Sequence, residues 1–193
     1  MKKIVLTSFV IFSFLTAFSQ FNKGRVLVGG NSSFSATTEK NKSGNTTTTV
    51  SKTTSFSFNP QAGYFFIDNF AAGLELDFEA GSTKYENSNN KSSYNALLAT
   101  PFVRYYLKPG IFFQGRYGFG TEKDTNIFGT ETSSNLSRWS IGVGYAWFLN
   151  DHVALEPFIG YKSDASKTGS VKTIDGGLAI NLGLQVYLGP SSK

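Results

Sequence analysis

Residues 174–188 alternate regularly between apolar side chains and small or polar ones. Apart from one glycine, one parity is apolar throughout: Ile174, Leu178, Ile180, Leu182, Leu184, Val186 and Leu188. Successive side chains of a β-strand point to opposite faces, so the pattern predicts one long strand with a single apolar face. A helix would place Asn181 and Gln185 on the apolar stripe, and each interior glycine would cost it about 1 kcal/mol.

The length of this segment indicates what the apolar face meets. Strands of soluble proteins average about 5 to 6 residues. A strand tilted near 45° across a bilayer needs roughly 9 to 11 residues and usually runs on beyond the lipid. The segment 174–188 therefore predicts a membrane-spanning strand, with lipid as the solvent on one side.

The first nineteen residues have the character of a secretory signal peptide. Lys2 and Lys3 precede an apolar run over 4–14, and the small residues Ala17 and Ser19 fit a cleavage site. The alternative, a transmembrane anchor, needs about 20 apolar residues, and this run is shorter. We therefore predict a cleaved signal at 1–19, followed by one mature domain at 20–193.

Composition narrows the class of the mature domain. Removing the signal leaves sixteen basic residues against thirteen acidic ones, an excess too small to indicate a nucleic-acid-binding face. The chain has no cysteine, so a disulfide framework and a thiolate metal site are both excluded. No stretch of the mature chain is long and apolar enough for a spanning helix.

The alternation recurs seven more times along the mature chain. The predicted strands are 23–36, 52–64, 70–85, 94–107, 111–122, 136–148, 153–162 and 173–189. In the fourth strand we place Arg104 inside, because an arginine facing lipid is costly.

Short and long connections alternate between these strands. The predicted short turns are 66–69, 108–110 and 150–152, and the predicted long polar loops are 41–51, 86–93, 123–135 and 163–172. This sorting is typical of an up-and-down outer-membrane barrel with short periplasmic turns and longer external loops. The sequence therefore predicts an all-β, eight-stranded antiparallel up-and-down transmembrane β-barrel.

Aromatic residues gather beside the short turns. They are Tyr64, Phe65, Phe66, Phe70, Tyr105, Tyr106, Trp147 and Phe148. Rings of this kind collect at the headgroup level of a membrane, so we predict an aromatic girdle at that end of the barrel.

Three segments resemble a known family. The sequences GYFFIDNFAAGLEL at 63–76, PFVRYYL at 101–107 and LEPFIGY at 155–161 are similar to the small outer-membrane β-barrel domains common in the Bacteroidota, which are OmpA-like or porin-like eight-stranded barrels. The resemblance covers the whole mature chain. It implies a protein of the cell outer membrane of a Gram-negative bacterium, in contact with outer-membrane lipid and inserted by the barrel-assembly machinery.

Charged residues of the inward parity are the nearest approach to a chemical site. They are Arg25, Glu75, Asp77, Glu79, Arg104, Arg116, Glu156, Lys162 and Asp175. Eight strands enclose only enough room for side chains to fill, and opposite charges pair when they are buried. We therefore favour a salt-bridged, plugged lumen with a structural or surface-interaction role. The alternative is a narrow porin-like channel for ions or small hydrophilic solutes.

Nothing in the sequence indicates an enzyme. His152 is the only histidine and lies in a predicted turn without the partners of a catalytic triad. Glu75 and Asp77 stand about 7 Å apart on one strand face, a spacing compatible with a glycosidase, but arginines of the same parity make structural pairing the better interpretation. The segment GRYGFG at 115–120 precedes no helix, so it is not a phosphate loop. We predict no catalytic residue, cofactor or metal site.

A third class, a soluble lipocalin-like ligand binder, would turn its apolar parity inward, whereas here the inward parity is the polar one. We expect a monomer that uses its long external loops to meet an extracellular partner, since loops on a rigid scaffold carry most recognition. Their sequences do not name that partner.

Overall fold

A computed structural model describes residues 21–43, 46–86, 91–107 and 109–189. The predicted signal peptide lies outside these residues. The described part of the chain forms nine β-strands: β1 Val26–Ser43, β2 Thr46–Ile67, β3 Phe70–Tyr85, β4 Lys91–Tyr106, β5 Ile111–Thr125, β6 Glu131–Tyr145, β7 Trp147–Phe148, β8 Val153–Thr168 and β9 Val171–Leu188. Among these residues no helix is long and apolar enough to span a membrane.

The strands form a closed antiparallel ring. Each long strand pairs with the next along the chain, β6 pairs directly with β8, and β1 pairs with β9 to close the ring. The two-residue β7 continues β6 after a break at Ala146, whose N–H donates to the carbonyl of Gly110 at 2.9 Å. Eight wall strands result, and the prediction of an eight-stranded up-and-down barrel is confirmed.

The period-two pattern decides which side chains face outward. In β9, Leu178 and Ile180 are exposed on the outer surface while Gln185 and Tyr187 are buried inside. In β4, Arg104 points inward and its neighbours Val103 and Tyr105 point outward, as the parity argument predicts. A slip of one residue would reverse every one of these positions, so the hydrophobic pattern fixes the register.

The predicted long loops are wrong, because most of their residues belong to strands. β8 runs to Thr168 and β9 begins at Val171, so two residues join them where ten were assigned to a loop. β1 likewise reaches Ser43, β2 starts at Thr46 and β4 starts at Lys91. Outside a bilayer both faces of a hairpin can be polar, so the alternation disappears although the ladder continues. The threonine-rich sequences there have good strand propensity.

The end of the barrel with the short turns is filled by aromatic side chains. The buried cluster contains Phe21, Leu27, Phe65, Ala71, Phe102, Tyr106, Phe112, Ala146, Ala154, Phe158 and Tyr187, with Phe148 packed against it. The girdle prediction is therefore partly wrong: Phe65, Tyr106 and Phe148 belong to this interior cluster. Consecutive strand residues face opposite sides, so only one of each adjacent aromatic pair can reach lipid.

Candidate functional site: the charged lumen

The aromatic cluster forms a floor across the lumen. The ring of Phe21, which precedes β1, stacks on Tyr106 with 4.1 Å between centroids and contacts Tyr187 edge-on at 5.8 Å. Strands β4 and β9 place these two tyrosines opposite each other, and their hydroxyls are 3.1 Å apart. The N-terminal segment therefore helps to close the end of the barrel that carries the short turns.

A fully buried ion pair lies directly on this floor. Arg104 of β4 donates through Nη1 to Oε2 of Glu156 on β8 at 2.7 Å, and the two side chains are 4% and 2% exposed. The Arg104 Nε also donates to Gln114, and the hydroxyl of Tyr187 donates to Oε1 of Glu156. A buried pair repays its desolvation only when its remaining donors and acceptors are satisfied, and these contacts satisfy them.

A second layer of charges follows above the first. Arg116 donates through Nη1 to Glu75 at 2.9 Å and through Nε to Ser140 at 2.9 Å. Asp77 has no cation as its nearest partner; it accepts from Asn59 at 2.7 Å and from Thr100 at 2.6 Å. Each buried carboxylate in this layer is therefore hydrogen-bonded.

The third layer centres on Arg138, which was not among the residues predicted for the charge network. Its guanidinium donates to Glu79 at 2.5 Å and to Asp164 at 2.6 Å, and lies 4.0 Å from Asp77. Lys162 adds a longer contact of 3.5 Å to Asp164. Arg138 shares the inward parity of Ser140, so the alternation of the sixth predicted strand could have placed it in the lumen. Asp164 was hidden because the predicted seventh strand ended too early.

Two predicted members of the charge network lie elsewhere. Asp175 is exposed at the outer rim, opposite Asp164 in the β8–β9 register, and so does not belong to the buried interior. Arg25 is buried, but at the floor, where Nη2 donates to the backbone carbonyl of Tyr187 at 2.8 Å. Both residues have the inward parity, but Arg25 lies below the three charge layers and Asp175 lies above them.

The free space in the lumen changes sharply with height. Between Arg104 and Arg116 the open volume is about 20 Å³, little more than one water molecule needs. Above it lies a polar cavity of about 410 Å³, here called the cup, with hydroxyl, amide and charged side chains on its wall. A further space of about 560 Å³ lies between the extended hairpins. The lumen is thus open at the hairpin end and closed at the short-turn end.

The remaining candidate residues lie away from the lumen. His152 is exposed in its turn, where its backbone N–H donates to Asn150 Oδ1 at 2.9 Å. Just beyond β3, a hydrogen bond from Lys52 lowers the pKa of the exposed Glu86 carboxyl, whose Oε1 is 2.5 Å from the ammonium. The described residues contain no group of three or more His, Cys, Asp or Glu placed to hold a metal ion.

The fold is that of a transmembrane β-barrel with a charged lumen, and comparison with known protein families identifies the same class. The sequence profile of the outer membrane protein beta-barrel domain matches residues 4–156. The chain belongs to this family, and its place is the cell outer membrane. The expected membership of an outer-membrane β-barrel family and the expected location are both confirmed.

Solved structures with a similar fold are outer-membrane barrels of low sequence identity. The translocator domain of the autotransporter NalP from Neisseria meningitidis is 12% identical, with a TM-score of 0.48, over 95% of this chain and 69% of that one. Neisserial surface protein A is 16% identical, with a TM-score of 0.46, over 85% and 97%. The outer membrane protein AlkL, studied in DMPC bilayers, is 16% identical, with a TM-score of 0.41, over 90% and 94%. A search of curated protein sequences finds no match.

Proposed function

We propose that this protein is a non-conducting outer-membrane barrel, sealed at its short-turn end, that contributes structure and presents polar hairpins for surface interaction. The observation that carries the proposal is the Arg104–Glu156 pair held across the lumen on an aromatic floor. In this assignment the barrel performs no reaction and needs no cofactor.

The free energy needed to separate the buried ion pair argues against ion conduction through the floor. An ion passing from the cup would have to separate Arg104 from Glu156 and displace Tyr106 and Tyr187, which hydrogen-bond to the pair. Separating a buried pair exposes each charge to a low dielectric and costs several kcal/mol per ion. The constriction above the pair leaves room for about one water, whereas conducting porins use wider barrels of 16 or more strands.

Planar-bilayer recording of the refolded full-length protein tests this proposal. We expect no stable open steps from the wild type. The triple variant Arg104→Ser/Glu156→Ser/Tyr187→Ser removes both charges together with one of the tyrosines that close the floor, and should produce open steps. The matched control, Lys52→Ser/Glu86→Ser, removes an exposed pair near the hairpin ends and should remain silent.

The opposite result would favour the narrow channel. Stable steps from the wild type that change ion selectivity on Glu75→Gln or Arg116→Gln would show that ions pass the second charge layer. That outcome would overturn the sealed-lumen proposal and assign a porin-like role.

A further inference from the structure

The closing seam of the barrel is paired over only part of its height. β1 and β9 pair from Val26 with Leu188 to Gly30 with Leu184, a run of five residue pairs. Beyond that point β1 continues to Ser43 beside β2 alone, and β9 extends back to Val171 beside β8 alone. The ring is therefore closed near the floor and open along the upper part of this seam.

A glycine marks the place where the two strands part. Gly30 has a φ of +153°, which side chains rarely adopt, and a Cβ there would lie 2.3 Å from the carbonyl oxygen of Asn59. Its partner in β2 is Pro60, which has no N–H to donate to the ladder. A glycine of unusual φ and a proline therefore stand opposite each other at the last residue where β1 pairs with β9.

Apolar side chains on the outer surface place this opening within the lipid band. Beside it, Leu178 and Ile180 of β9 are 80% and 79% exposed, against 47% for Leu74 on the fully paired β3. Across the gap, Phe34 of β1 is 70% exposed. A spanning strand needs roughly 9 to 11 residues, so five pairs close only about half of the membrane's thickness.

The cup reaches the opening from inside. Its wall includes Asn31 and Ser33 from β1 and Asn181 from β9, together with the outward-facing Ile180 and Leu182. One cavity is therefore lined by lumen residues and by lipid-facing residues at the same seam. Unpaired backbone at membrane depth is tolerated where it lines a polar cavity, and this arrangement provides one.

The chemistry of the cup indicates what could enter. Its acidic groups already have partners, because Glu75 is bound to Arg116 and Glu79 to Arg138. Neutral hydroxyl and amide groups line the seam side, including Ser33, whose hydroxyl shares a 2.8 Å hydrogen bond with Ser57 and keeps acceptor capacity, and Asn181. Such groups suit neutral hydroxylated molecules, which both donate and accept hydrogen bonds.

We propose that the upper seam is a lateral port through which the neutral, hydroxyl-rich headgroup of an amphiphile passes from the outer leaflet into the cup. Its alkyl chain stays in lipid between Phe34 and Ile180. The port lies above the floor, so the inference holds independently of whether the lumen conducts.

Photo-crosslinking in vesicles tests the port directly. The full-length protein in phosphatidylcholine vesicles is irradiated with an alkyl glucoside that carries a diazirine on its chain. We expect adducts concentrated on peptides containing Phe34 and Ile180. Unlabelled dodecyl maltoside should compete for them, whereas dodecyl sulfate, which has an anionic headgroup, should not.

Locking the seam provides the matched control, because the chain has no native cysteine. Extending the β1–β9 register places Ser33 opposite Asn181. Ser33→Cys/Asn181→Cys should lose the concentrated adducts when it is oxidised to the disulfide and regain them on reduction. The same variant bridged irreversibly by a short bis-maleimide should lose them permanently. Val28→Cys/Val186→Cys, in the part already paired, should keep the adducts when oxidised.

Two results would overturn the proposal. Adducts spread evenly around the lipid face and insensitive to the lock would mean that no headgroup enters at the seam. Disulfide-linked dimers from a mixture of the two single-cysteine variants, with a doubled mass in detergent, would mean that a second copy of the chain covers the open edges.

Discussion

Arg104 is the residue on which the closed floor depends most. Arg104→Met leaves Glu156 as an unpaired charge that is 2% exposed, so we expect a loss of about 3 to 5 kcal/mol in the free energy of unfolding. Urea titration in phosphatidylcholine vesicles, followed by tryptophan fluorescence, measures it. Adding Glu156→Leu removes the stranded charge and should recover most of the loss.

The exposed pair between Lys52 and Glu86 provides the comparison. Lys52→Met should leave the free energy of unfolding close to that of the wild type, because both partners are solvated and the pair is screened. Equal losses from Arg104→Met and Lys52→Met would contradict the view that burial makes the floor pair critical.

Glycines on the inner wall differ in the space around them, and this difference is testable. A Cβ at Gly73 would lie 2.1 Å from the carbonyl oxygen of Ala62 and 2.7 Å from the ring of Phe102. Gly73→Ala should therefore cost about 1 to 3 kcal/mol through overpacking. Gly177→Ala meets nothing within 4 Å and should be neutral or slightly stabilising in the same urea titration. Equal effects of the two substitutions would show that the wall around Gly73 is loosely packed.

At the scale of single strands, the sequence predicted most of what lies inside the membrane. The period-two pattern placed Leu182 outside and Arg104 inside because lipid on one face and a crowded lumen on the other penalise any slip. Outside the bilayer that penalty vanishes, so the polar ends of β1, β2, β8 and β9 were assigned to loops. The same error concealed Asp164 and with it the role of Arg138.

The polar hairpin of β8 and β9 should be accessible from outside the cell. Its tip is a two-residue connection flanked by the paired, exposed Lys167 and Lys172, with Gly169 at a φ of +60°. The polar strand ends at this side of the barrel project well beyond the apolar segments, whereas the floor side has only tight turns, and bacterial barrels carry their longer projections on the external side. Trypsin added to intact cells should cut at this tip, and mass spectrometry of the released or nicked chain should locate the cut.

The variant Lys167→Gln/Lys172→Gln should abolish that cleavage without changing heat-modifiable migration on gels. Cleavage seen only after the outer membrane is permeabilised would place the hairpins in the periplasm and reverse the orientation.

For the whole molecule, the sequence could not predict how the ring closes. Local alternation shows that β1 and β9 are strands, but their mutual register joins residues more than 150 positions apart. The hydrophobic pattern of each strand is the same whether the seam is paired over five residues or fifteen. The half-open seam therefore follows only from the three-dimensional arrangement, in which the pairing of β1 with β9 ends at Gly30.

Hydrogen exchange measures this closure across the entire barrel. In each seam strand, the N–H groups that point across the opening have no ladder partner above Gly30, whereas β4 and β5 are paired on both edges. Peptides covering 31–36 and 178–183 should therefore exchange faster than peptides from 97–103, although all three regions lie at the level of the apolar band. The floor peptide around Tyr187 should remain protected, since β9 is paired on both sides there.

Uniform protection around the ring would show that the seam is closed to its full height in the membrane. The lateral port would then have no opening to use, while the sealed floor below it would stand unchanged.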